Sequence, residues 1–175
     1  MKLTNYKYFS RTGFIFTVST VILLLFLSPG AKAQEPPPRP IKVTVTAQSL
    51  SFGAFTLGTV GGTVTISSTG SRSSTGDIVL LGLGYSFTTA LYQIVANPGT
   101  LISLIFNNPV TLTGTPGGTL TLNIDSSDPV SPFVTTVPYP TPTSLNVGGT
   151  LSVSNLLANP PGSYSGTFDI TFVQE

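Results

Sequence analysis

Three times the chain writes a pair of glycines followed by strict alternation of hydroxyl and aliphatic residues. The copies are Gly61-Gly62-Thr63-Val64-Thr65-Ile66, Gly117-Gly118-Thr119-Leu120-Thr121-Leu122 and Gly148-Gly149-Thr150-Leu151-Ser152-Val153. A period of two puts every second side chain on one face of an extended strand, so each phrase describes a β-strand with an aliphatic face and a hydroxyl face. The copies begin 56 and 31 residues apart, which excludes a tandem repeat of fixed period. Glycine adopts positive φ at little cost, so each pair reads as a turn that feeds a strand. A phosphate-cradling loop would need a helix N-terminus or a lysine after the glycines, and no copy has either.

The same reasoning places the other elements. Ile41, Val43, Val45 and Ala47 alternate with Lys42, Thr44, Thr46 and Gln48, as a half-buried strand requires. The phase flips at Leu50 and Phe52, which predicts a bulge near Ser49. Ile78 to Leu81 is a short apolar run expected in a central strand. Ser86–Val95 and Thr100–Phe106, separated by Ala-Asn-Pro-Gly, read as a hairpin. Val110–Thr113 is a further short strand. Near the end, Tyr164, Gly166, Phe168, Ile170 and Phe172 share one face of a closing strand. No segment after residue 33 has helical periodicity. Eight to ten short strands with turns between them predict an all-β antiparallel sandwich, with a closed barrel as the lesser alternative. A transmembrane barrel needs about ten alternating residues per strand and aromatic girdles; these strands are short and the chain has no tryptophan.

Residues 1–33 read as a secretory leader. Lys2, Lys7 and Arg11 precede an apolar run from Gly13 to Leu27, and Ala31-Lys32-Ala33 supplies a cleavage site. The run is short of the roughly 20 residues that span a bilayer, so no membrane insertion is expected once the leader is removed. Gln34–Pro40 is a proline-rich spacer, and residues 41–175 form a single domain. From Gln34 onward three basic residues stand against six acidic ones, a net charge of −3. Nucleic-acid binding needs a basic footprint, so that class is excluded. Export is expected, to the periplasm, the cell surface or the medium. The chain has no cysteine, so the core must hold the fold without disulfides.

With neither histidine nor cysteine, most nucleophile–base pairs and transition-metal sites cannot be built. No enzyme activity and no cofactor are expected. Gly162-Ser163-Tyr164-Ser165-Gly166 has the outline of a nucleophile elbow, but a tyrosine occupies its centre. Asp125 and Asp128 are the closely spaced carboxylates. They read as a turn in which aspartates cap amides, with calcium binding as the alternative. Arg72, within a hydroxyl-rich stretch, is expected to pair locally with Asp77 or to meet an acidic partner. Ser131–Leu145 is a proline-rich connection carrying Phe133 and Tyr139. Its two readings are a binding loop, with rings suited to sugar stacking or protein docking, and a lid folded over the core.

Several segments taken in order resemble a bacterial secreted family known only as domain of unknown function 4402. They are Leu50–Gly58 (LSFGAFTLG), Gly61–Leu81, Asn108–Gly114 (NPVTLTG), Leu145–Val153 (LNVGGTLSV) and Pro161–Phe172 (PGSYSGTFDITF). More distantly the chain resembles the pilin-like, immunoglobulin-type sandwiches of chaperone–usher fimbriae. It departs from them in having no cysteine pair and in ending Val173-Gln174-Glu175. The resemblance implies a non-catalytic surface or fimbrial subunit whose partners are copies of itself or related subunits. Ile41, Val43, Val45 and Ala47 would then be the face of an exchangeable strand. The alternative is a secreted module that binds a surface glycan or a protein through Phe133, Tyr139 and Arg72.

Overall fold

A computed structural model describes residues 39–175; the expected leader and most of the spacer lie outside the described residues. Thirteen strands, numbered in chain order, make up the described part. Every pairing between them is antiparallel. The largest sheet runs β1 (Lys42–Val45), β6 (Ala90–Val95), β11 (Thr143–Val153), β9 (Thr119–Asp128), β8 (Val110–Gly114) and β12 (Tyr164–Ser165). In the same sheet β3 (Ala54–Ile66) joins β11, and β4 (Arg72–Leu81) joins β3. A second sheet has the order β10 (Phe133–Val134), β7 (Leu101–Phe106), β13 (Ile170–Gln174). A short ribbon pairs β2 (Ser51–Phe52) with β5 (Phe87–Thr88). Four of the strands are only two residues long, which is why the count exceeds the eight to ten expected. The all-β antiparallel sandwich is the fold observed.

The aliphatic faces of the alternating phrases form one core. Val64 and Ile66 of β3, Ile94 of β6, Ile102 of β7, and Leu145 and Val147 of β11 are fully shielded from solvent. Each such side chain contributes about 1.5–3 kcal/mol before entropy is subtracted. β11 is the organising strand. One of its sides pairs with β6 through Thr143–Val147 and then with β3 through Gly149–Val153, while its other side pairs with β9.

The three glycine pairs do three different things. Only Gly117-Gly118 is a hairpin turn, lying between β8 and β9 with φ of 98° and 79°. Gly61-Gly62 is a corner inside β3. The pairing jumps from Leu57↔Ile78 to Gly62↔Gly76, so four residues of β3 stand opposite Asp77 alone. A Cβ on Gly62 would overlap the Thr75 carbonyl oxygen. The Asp77 carboxylate closes the corner by accepting the Val60 and Gly61 amides at 2.8 and 2.7 Å. Gly148-Gly149 lies in mid-strand, with backbone pressing in on both sides. A Cβ on Gly149 would stand 2.7 Å from the Asn123 carbonyl oxygen, and one on Gly148 would stand 2.6 Å from Ser126 Oγ. At that level Gly148 faces Ser126 and Gly149 faces Ile124, which leaves Asp125 as the extra residue of a bulge in β9. Burial in β9 switches there from Leu120, Leu122 and Ile124 to Ser127. The expected aspartate turn is thus a bulged strand.

Other expectations are corrected by the division into two sheets. The segments around Ala96–Gly99 do not pair with each other: β6 joins the large sheet and β7 the small one. The closing strand also divides, β12 pairing with β8 and β13 with β7. Ile78–Leu81 is the end of a longer strand that, among the described residues, pairs with β3 alone, and its Val79 is exposed. Sequence alternation shows which face of a strand is apolar. It does not show which sheet that face covers.

Candidate functional site

The N-terminal strand lies at a margin of the sandwich. Among the described residues β1 ends the large sheet with β6 as its one neighbour, and β13 ends the small sheet with β7 as its one neighbour. Tyr92 of β6 lies against Phe172 of β13, ring centroids 5.9 Å apart, so the two sheets meet at this margin. Burial, aided by the charge of Asp169, raises the Tyr92 phenol above its ordinary pKa.

One side chain bridges the two edges. Gln174 of β13 accepts the Ile41 amide on Oε1 at 3.0 Å, and its Nε2 donates to the Arg39 carbonyl at 3.1 Å. The carboxamide therefore offers an acceptor and a donor to an extended backbone, as a neighbouring strand would. At the other end of β1, Thr46 donates its amide and its hydroxyl to the Leu91 carbonyl at 3.2 and 2.8 Å. The Gln48 side chain donates to the Thr89 carbonyl at 3.0 Å.

These bonds alter the expected face. Ile41 and Val43 are half-buried against the core, whereas Val45 is 71% exposed and Ala47 is also exposed. The phase break falls before Val45 rather than near Ser49, because Thr46 turns inward to satisfy Leu91. Of the four residues expected to share a buried face, only two do.

Gln174 is a site residue that the sequence motifs do not point to. It had a signal, because Ile170, Phe172 and Gln174 fall on one alternating face and pair across to Phe106, Leu104 and Ile102. A carboxamide at the end of an inward-facing apolar row must itself find hydrogen-bond partners.

The proline-rich connection divides its two aromatics. Phe133 is buried in the core and pairs with Ile102. Buried Thr135 anchors the same segment by donating its hydroxyl to the Asn97 carbonyl at 2.6 Å. Tyr139 is about half exposed, and the Arg39 guanidinium lies 4.8 Å from its ring centroid. Arg72 belongs to a different neighbourhood, at the start of β4 rather than in a loop. Its Nη2 donates to the Ala54 carbonyl, and its guanidinium lies 5.4 Å from the centroid of Phe87. The carboxylate of Asp77 is occupied by the two corner amides.

Asp125 accepts the Thr150 hydroxyl at 2.6 Å. Among the described residues no three His, Cys, Asp or Glu side chains lie close enough together to hold a metal ion. Tyr164, at the centre of the elbow-like segment, donates its hydroxyl to the Pro160 carbonyl at 2.7 Å and so closes a turn. No helix among the described residues is long and apolar enough to cross a membrane.

The family model for domain of unknown function 4402 matches residues 42–173, from the first residue of β1 to the penultimate residue of β13. The chain belongs to the DUF4402 family. Comparison with curated proteins and with solved structures finds no match. The match begins in β1 and ends in β13, the strands at the two sheet margins, while Arg39, Ile41 and Gln174 lie just outside it.

Proposed function

We propose that this DUF4402 protein is an exported, non-catalytic surface or fimbrial-type subunit that assembles by exchanging β1 between copies. The observation that carries this reading is the seam. Among the described residues β1 has a neighbour on one side only, Val43 and the preceding Ile41 are half-buried toward the core, and Gln174 of β13 hydrogen-bonds the backbone of Arg39 and Ile41 just ahead of the strand. A strand held so shallowly opens at lower cost than the core strands. Its departure leaves unpaired backbone on β6, and an equivalent segment from a second copy would pair with it in the same register. The leader-like residues 1–33 and the proline-rich spacer support export and reach, since a polyproline segment extends about 3.1 Å per residue.

The test uses the native bacterium. Material sheared from its surface is run unboiled in SDS and probed with antibody to the domain. A ladder of multiples that collapses on boiling is expected, and a chain lacking residues 34–48 should give no ladder. A monomer band alone, with the antigen confined to the periplasm, refutes the proposal.

A further inference from the structure

β4, the loop after it and β5 carry exposed apolar side chains, and the Arg72 cation lies over one of them. Val79, Leu83 and Tyr85 are well exposed and Phe87 is 45% exposed, whereas outward positions of β8 and β9 carry hydroxyls such as Thr111, Thr113, Thr119 and Thr121. The guanidinium of Arg72 lies over the Phe87 ring and is anchored by Nη2 to the Ala54 carbonyl. Its Nε is buried without a hydrogen-bond partner. Nη1 has no partner among the described residues, which leaves a donor free on the fork. Gly53 makes room for this head: a Cβ there would stand 3.1 Å from both Arg72 Nη1 and the Tyr85 carbonyl oxygen. The loop ends are fixed, because Ser51 Oγ donates to the Ser86 carbonyl at 2.7 Å and β5 pairs with β2. Between them Gly82 and Gly84 face open space.

The geometry points to a binding site for a carboxylate-bearing sugar of an acidic polysaccharide, formed by Arg72, Tyr85 and Phe87. Arg72 Nη1, the guanidinium nitrogen that is neither tied to Ala54 nor buried, can donate to a carboxylate oxygen, and the Phe87 ring beside it keeps the guanidinium partly desolvated, which strengthens that bond. That environment also lowers the arginine's pKa by desolvation. The exposed Tyr85 and Phe87 rings offer flat apolar faces to the C–H side of a pyranose, and the Tyr85 carbonyl offers an acceptor to its hydroxyls. The exposure of Tyr85 and Phe87 suits a sugar within a long chain, which needs no enclosed pocket. The site is independent of strand exchange, since none of its residues belongs to β1, β6 or β13.

The test is a titration of the isotopically labelled full-length chain with a short oligogalacturonate, and separately with a neutral oligosaccharide of equal length. The acidic oligomer should shift the amide signals of residues 82–87 and the Arg72 side-chain signal. The neutral one should bind at least about tenfold more weakly, as expected for loss of a charge-assisted hydrogen bond. Arg72→Gln should weaken binding by about tenfold or more by the same arithmetic, and Tyr85→Ala, which removes an aromatic face, by about two- to tenfold. Tyr85 is 70% exposed, so its variant keeps the fold and decides the matter alone if Arg72→Gln does not fold. Equal affinity for the neutral oligomer, absence of shifts at these residues, or equal affinity for an acidic peptide would overturn the assignment.

Discussion

If Gln174 holds β1 in place, Gln174→Ala should loosen that strand by an amount set by two hydrogen bonds. A neutral intramolecular hydrogen bond contributes about 0.5–1.5 kcal/mol net. The bond from Ile41 is partly buried, whereas the one to Arg39 is exposed and belongs at the low end. Their combined loss is about 1–2 kcal/mol, a factor of about 5–30 in the opening equilibrium of β1. Amide hydrogen exchange reads this directly at Thr46, whose N–H donates to the Leu91 carbonyl. In the parent chain Thr46 should exchange faster than the core amide of Ile66, because β1 opens without global unfolding. In Gln174→Ala it should exchange about 5–30 times faster still. Gln174→Glu keeps an acceptor for Ile41 but no donor for Arg39, and should recover part of the loss. If parent Thr46 exchanges as slowly as Ile66, or if Gln174→Ala leaves it unchanged, the seam is no weaker than the core and the reasoning fails.

Two further outcomes follow from the corner in β3. Gly62→Ala forces a Cβ into the Thr75 backbone carbonyl, where no side chain can move aside; denaturant unfolding should show a loss of about 2–4 kcal/mol. Gly82→Ala meets open space and should change stability by less than about 0.5 kcal/mol. The Val60 amide, followed by that of Gly61, holds the Asp77 carboxyl below its ordinary pKa, outweighing the opposite pull of burial. A depressed folded-state pKa contributes stability above the unfolded value of about 3.9 and loses it as pH falls through the folded value. Asp77→Asn should therefore be less stable than the parent near neutral pH, and the gap in thermal midpoint should close as pH falls below that window.

Particular residues show how far the sequence reaches. Val64, Ile66, Leu120, Leu122, Leu151 and Val153 could be assigned to the core from alternation alone, because period-two patterning and burial are the same constraint. The absence of cysteine and histidine and the sparse charge were equally legible, and with them the class of fold. Alternation could not tell that one Gly-Gly phrase is a corner, another a hairpin turn and the third a bulged mid-strand pair. All three solve local crowding or turning, but only the neighbouring strands decide which problem is present. Nor could it place Phe133 in the core while leaving Tyr139 outside, or bring Arg72 beside Tyr85 and Phe87 by folding β3 and β4 over at Asp77. Gln174 sits at the meeting of two sheet edges 133 residues apart in sequence from the Ile41 amide it accepts. Local sequence determines what each strand shows on its two faces; which edges remain unpaired is a property of the assembled sheets, because backbone hydrogen bonding is satisfied only between segments distant in the chain.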